Sequence, residues 1–299
     1  MQKNYLIAGG AAVLLLGGLF LLGSSGTPNK NGSGNTLTPV SSFSHSHGVA
    51  ADIADAKKVY IATHEGLFLF SEDKDLFRIG KTRDDLMGFS SHPTEANTFF
   101  SSGHPARGGN IGFQRTTDSG VTWERVSDGL GGRVDFHAMA VSQANPNIVY
   151  GFFGGRLERS EDGGRSWEYA KGSVFPISLS TDPKNENVLY ASTQNGVQVS
   201  RDKGDSWQSA SSQLEGGAVS VFALDPSSTY ALAFSEKLGG MGKSPDGGAT
   251  WQKVQETFGG EAVLYLAFSK PQADVVYALT NKNSVYKTAD SGNNWIKVR

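Results

Sequence analysis

One eight-residue pattern, Ser/Thr-x-Asp-x-Gly-x-x-Trp, recurs five times in this chain and uses every tryptophan it has. The copies run Thr116 to Trp123, Ser160 to Trp167, Ser200 to Trp207, Ser244 to Trp251 and Thr288 to Trp295, which sets the tryptophans 44, 40, 44 and 44 residues apart. A period near 40 residues belongs to propellers and solenoids, and the stretches between copies read as short strand-like runs instead of helices, which favours a propeller. Chemically the pattern is a hairpin turn. Its aspartates (Asp118, Asp162, Asp202, Asp246, Asp290) can accept bonds from nearby backbone N–H groups, and the glycine two residues on supplies a positive φ. The tryptophans (Trp123, Trp167, Trp207, Trp251, Trp295) anchor the returning strand. Repetition in every unit makes these aspartates turn residues, not catalytic or cation-binding acids.

Over residues 45–299 the pattern resembles the Asp-box, or BNR repeat, of sialidases, sortilin-type receptors, bacterial glycosyl hydrolase-like propellers and photosystem II stability/assembly factors. The resemblance implies an all-β, six-bladed β-propeller with Asp-box turns. Likeness to sialidases would further imply three channel arginines, an Asp and a Tyr–Glu pair, beginning with a Phe/Tyr-Arg-Ile-Pro segment ahead of the first box. That segment is missing. Arg78-Ile79, within Leu76 to Gly80, is followed by Gly and falls on the last strand of a blade, so no sialidase residue is carried over.

Aligning the repeats on a second-strand aromatic (Tyr60, Phe100, Tyr150, Tyr190, Tyr230, Tyr277) yields six units. The first carries only a degraded box, Ser71 to Phe77, as terminal repeats often do. In the third, Phe136 to Ser142, Asn147 to Phe153, Leu157 to Arg159 and Trp167 to Ala170 read as four strands. Both ends of the array coincide with complete blades, so no strand from one terminus is expected to complete a blade begun at the other.

With 299 residues, 38 glycines and a net charge of −2, the chain suits one large all-β domain and offers no basic footprint for nucleic acid. Cysteine is absent, which excludes disulfides, thiolate nucleophiles and Cys-ligated metals. Ahead of the repeats, Lys3 precedes an apolar run from Tyr5 to Leu22, long enough for a short spanning helix. Residues 1–26 are therefore expected to act as an uncleaved membrane anchor, or as a signal segment if cleaved. The positive-inside rule places the rest outside the cytoplasm. Residues 27–44, rich in Gly, Asn, Ser, Thr and Pro, read as a flexible linker whose last part, Leu37 to Phe43, can lie along a blade edge. The expected protein is a monomeric, single-pass, extracytoplasmic propeller.

Propeller geometry puts the turns before strand one and between strands two and three on one face. His47, Met87 and His137 each stand thirteen residues before their blade's aromatic; His64 and His104 each stand four after it. Four histidines thus share one mouth of the channel, with Glu65, Arg107, Arg133 and Asp135 around them. His45 sits just before this level, and His92 belongs to a turn on the opposite face. Converging neutral imidazoles suit Zn²⁺ or copper, with Met87 tilting toward copper as a soft donor. The expected metal ligands are His47, His64, His104 and His137 around one ion. Glu65 and Asp135 form the one acid pair placed near them, as a glycosidase would need. Three functions follow: binding of a metal, glycan or envelope protein at this mouth; glycosyl hydrolysis of envelope or extracellular glycans; or a scaffold for assembling a membrane complex.

Overall fold

The computed structural model describes residues 36–299 other than 74, 228–229 and 255–256. The apolar run at 5–22 and the first part of the linker lie outside the described residues. Asn35–Arg299 forms one compact unit.

Six antiparallel sheets make up that unit. The first blade holds β2 (Ser46–Ala51), β3 (Lys58–Thr63), β4 (Gly66–Ser71) and β5 (Leu76–Ile79), and β1 (Leu37–Pro39) adds a fifth strand along its outer edge. The second holds β6 (Asp85–Ser91), β7 (Phe99–His104), β8 (Phe113–Thr116) and β9 (Glu124–Ser127). The third holds β10 (Ala138–Val141), β11 (Val149–Phe153), β12 (Arg156–Ser160) and β13 (Glu168–Tyr169). The fourth runs through β14 (Ser178–Thr181), β15 (Leu189–Thr193), β16 (Gly196–Ser200) and β17 (Gln208–Ser209). The fifth is β18 (Val219–Leu224), β19 (Ala231–Ser235), β20 (Gly240–Ser244) and β21 (Gln252–Lys253). The sixth is β22 (Val263–Phe268), β23 (Val276–Thr280), β24 (Val285–Thr288) and β25 (Ile296–Lys297). Among the described residues the only helix is the 3-10 turn Phe258–Gly260, and no helix is long and apolar enough to cross a membrane.

Each first strand packs on the next: β2 on β6, β6 on β10, β10 on β14, β14 on β18, β18 on β22, and β22 back on β2. The ring therefore closes at six. All six first strands line a central channel of about 250 Å³. Between blades, aromatic and β-branched residues of facing sheets form the core, as where Trp167 meets Phe113 and Phe136 at 5.3 and 5.1 Å between ring centroids. The ring is sealed without a shared blade. Asn283 Oδ1 accepts from the Ser46 N–H and hydroxyl (3.2 and 3.1 Å), the Tyr277 hydroxyl donates to the Ala56 carbonyl (2.7 Å), and Glu72 takes both Tyr277 and Lys287.

The five repeated turns share one hydrogen-bond set. In the third blade the Ser160 hydroxyl donates to Asp162 Oδ1 (2.8 Å) and accepts from the Gly164 N–H (2.8 Å). Asp162 in turn accepts the Ser166 N–H and hydroxyl (2.9 and 2.6 Å). Those bonds hold the Asp162 carboxylate down at a pKa of about 2. Gly164, at φ +85°, is obligatory twice over, because a Cβ there would stand 2.0 Å from the Phe113 ring of the preceding blade. In the second, third, fourth and sixth blades the turn also bonds the strand one-to-two turn of its own blade, as Gly163 N–H does to Asn147 O (2.8 Å), so both open on the same face, away from the histidines.

Candidate functional site

On the other face, the turn between β3 and β4 presents His64. Its two-residue tip closes because the Thr63 hydroxyl donates to Gly66 O (3.0 Å) and accepts the Glu65 N–H (3.0 Å). Beside it, the β2–β3 pairing slips between Ser46 and Gly48, leaving His47 as the bulged residue. A bulge re-aims a side chain, and His47 Nε2 comes to 3.2 Å from His64 Nδ1. The third member arrives from the next blade: Asp85, at the start of β6, stands with Oδ2 2.6 Å from His64 Nδ1 and Oδ1 3.2 Å from His47 Nε2. His45 stacks on His64 at 5.5 Å and meets His47 edge-on at 5.1 Å.

The second group repeats this one blade on. His104 ends β7, and its Nδ1 donates to the Gly109 carbonyl (3.0 Å) at the far end of a loop pinned by Asp84 to the Ala106 N–H (3.1 Å). His104 Nε2 then faces Asp135 Oδ2 at 2.8 Å, and His137 Nε2 reaches the same oxygen at 2.8 Å. The link between the blades is Ser102, whose buried hydroxyl accepts the Phe136 N–H at 2.7 Å and so turns the flanking Asp135 and His137 toward His104. Asp135 is 4% exposed, and its Oδ1 has no hydrogen-bond partner. Asp85 and His104 are directly paired across β6 and β7, which sets the two groups side by side.

Electrostatics differ within this mouth. Burial, opposed by Asp85, lowers the His47 pKa to about 4, so its imidazole is neutral near pH 7. His104 moves the other way, raised by its bond to the Gly109 carbonyl and by Asp135.

The structure thus brings all four expected histidines to one mouth, but in two triads, His47–His64–Asp85 and His104–Asp135–His137, in each of which the ligand atoms lie within 4.8 Å of one another. The expectation of one ion shared by four imidazoles gives way to two three-donor groups, because each histidine pair closes on its own aspartate. His47 and His137 line the channel. Met87 occupies the equivalent register position but is buried and does not line it. Glu65 is exposed at the tip of its turn, Arg107 is exposed, and Arg133 lies 3.6 Å from Asp128. His92 is a turn residue, its Nδ1 accepting the Thr94 and Glu95 N–H groups at 3.2 and 2.9 Å. Asp85 was not among the expected residues, although it stands fifteen residues before Phe100, the offset that Asp135 has from Tyr150.

No family model and no curated protein matches the sequence. Solved structures do. A GH74 xyloglucanase from Xanthomonas campestris superposes with a TM-score of 0.60 at 18% identity, over 87% of this chain and 46% of the enzyme. An ancestral GH74 enzyme gives 0.56 at 18% identity, over 88% and 40%. YCF48 bound to D1 peptide gives 0.53 at 14% identity, over 88% and 85%. The likeness is one of fold. This chain spans less than half the length of those GH74 enzymes and most of the length of YCF48.

Proposed function

We propose that the chain is an exported, membrane-tethered Asp-box β-propeller that binds a ligand at the histidine-bearing mouth of its channel. The observation that carries this reading is the pairing of two histidine–aspartate triads on adjacent blades, one of them built on a buried carboxylate with an unpartnered oxygen. Buried polar groups are ordinarily hydrogen-bonded, and this one lies behind His137, which lines the channel. The exposed Phe175 and Ile177, the residues aligned with Asp135 and His137 one blade on, add an apolar rim. Amide hydrogen exchange with and without metal ions, envelope glycan fragments or peptides tests it. Protection is expected around residues 45–48, 64–66, 103–110 and 133–137, and protection confined to the tryptophan-bearing turns would refute the placement.

A second reading, glycoside hydrolysis, is favoured by the GH74 fold likeness and by three carboxylates, Glu65, Asp85 and Asp135, on this mouth. Turnover of xyloglucan fragments or chromogenic glycosides that disappears in Glu65→Gln or Asp135→Asn would put it first. Tethering rests on the apolar run at 5–22 and Lys3. Protease added to spheroplasts is expected to digest the propeller, and a resistant propeller would reverse the topology.

A further inference from the structure

We infer that the mouth holds two divalent transition-metal ions, one in each triad: His47, His64 and Asp85 around the first, and His104, Asp135 and His137 around the second. This rests on the binding reading above and names its ligand.

Each triad offers two imidazole nitrogens and one carboxylate, brought together from three backbone segments in the first triad and from two in the second, where Asp135 and His137 flank Phe136. Bonds of 2.0 to 2.2 Å from donor to Zn²⁺ at tetrahedral angles would set the donors about 3.3 to 3.6 Å apart. His47 Nε2 already stands 3.2 Å from both His64 Nδ1 and Asp85 Oδ1. In the second triad both Nε2 atoms lie 2.8 Å from Asp135 Oδ2, and in the first His64 Nδ1 lies 2.6 Å from Asp85 Oδ2, so these donors spread by roughly half an ångström to one ångström to admit an ion.

Two features go beyond a mere histidine–aspartate hydrogen-bond cluster. Asp135 Oδ1 is buried without a partner, which leaves a carboxylate oxygen that the two histidines, both on Oδ2, do not satisfy, whereas buried polar atoms are ordinarily paired. His104 is held through Nδ1 by the Gly109 carbonyl, which fixes the ring so that Nε2 is the atom presented to Asp135, where an ion would take the place of the Nε2 proton. A backbone carbonyl on the distal nitrogen is the usual outer support of a metal-bound histidine. The donor chemistry selects the ion. Imidazoles disfavour Mg²⁺ and Ca²⁺, and the absence of thiolate disfavours Cu⁺, leaving Zn²⁺ and its divalent first-row neighbours. Three protein donors per ion leave a coordination position free for an oxygen or nitrogen atom of an incoming molecule. The two positions lie on neighbouring blades, separated by the β6–β7 pair in which Asp85 faces His104.

Full-length protein, purified in detergent, stripped with chelator and dialysed against micromolar Zn²⁺, is the material for the test; bound metal is read by elemental analysis and calorimetry. Two equivalents are expected. His137→Gln changes a side chain that is 66% exposed, so the fold should persist, and bound Zn²⁺ should fall from two equivalents to one. Asp85→Asn should remove the other, and the double variant should bind none. Unchanged thermal unfolding in chelator checks that the variants are folded. One equivalent or none in the unmodified protein, or two retained in both single variants, overturns the inference. A metal-free protein in which glycans or peptides still protect the mouth from exchange would overturn the ions and leave the binding reading standing.

Discussion

Glu158 shows how much one side chain can add to this ring. It lies on β12 with its residue 1% exposed, and its carboxylate accepts the Leu130 N–H of the loop ahead of its blade at 3.0 Å. Burial raises its pKa from 4.5 to about 7, against the weaker pull of that bond and of Arg156. The folded state therefore keeps a proton that the unfolded chain releases. The stability this contributes is complete below about pH 4.5 and is lost as pH rises through 7, by up to about 3 kcal/mol. Gln114 and Gln198 hold the same register position in the neighbouring blades, so Glu158→Gln should fold and lack this slope. Urea unfolding of both proteins at pH 4.5 and 7.5 reads the difference, and parallel pH dependences would contradict it. The same scale shows where sequence reasoning stops. The offsets of His47, His64, His104 and His137 were legible because a repeat fixes depth along a blade. Which acid His47, His64 and His104 would meet was not, since Asp85 and Asp135 reach them from the following blade and the contact depends on backbone turns that no offset encodes; for His137, two residues from Asp135, the nearness was legible.

Among the elements, the repeated turn and the bulged first strand divide the labour. The turn was legible in full: its donors, acceptors and positive-φ glycine are all written in eight residues. Asp162→Ala should lower stability by about 1 to 3 kcal/mol by leaving the Ser160 hydroxyl, the Arg165 N–H and the Ser166 N–H and hydroxyl without their acceptor. Gly164→Val should cost at least as much through contact with Phe113. Both should leave ligand or metal affinity at the opposite mouth unchanged, and a variant with native unfolding but lost binding would contradict this division. The bulge was not legible, because β2, Ser-His-Gly-Val-Ala-Ala, buries residues on both faces and so has no strict polar–apolar alternation for an extra residue to interrupt. It recurs where β18 meets β19 and where β22 meets β23, and there the displaced residues are Ser220 and Leu264. Gly103 serves the same end of the second blade. At φ +123° it brings β7 so near β6 that a Cβ would stand 2.0 Å from the Asp85 carbonyl oxygen. Gly103→Ala should therefore move Asp85 from His64 and weaken any ligand of the first triad at least tenfold, roughly the range of outer-shell changes at metal sites. Calorimetric titration of that variant checks it, and native affinity would show that the close approach is dispensable.

For the whole molecule, six-fold closure follows from counting repeats, and each sheet is drawn from one continuous stretch of chain. The degraded first repeat still makes a full sheet, and β1 gives it an additional outer strand. Because no blade is shared between distant parts of the described sequence, the junction of the first and sixth blades is held by side chains, with Ile61, Phe68 and Phe70 packed on Tyr277, Leu279 and Val285 and with bonds through Asn283, Tyr277 and Glu72. A ring of this kind can part at one place while its wedges stay whole. Amides of β2 and β22 should then exchange with solvent before those of β6 and β10, and equal rates would count against a weak junction. Both triads are carried on the first three blades, all to one side of that break. A transient opening of the circle would widen the channel like a sprung clasp, admitting a bulky guest beside His47 at the parted edge while His104, Asp135 and His137, one and two blades on, keep their places.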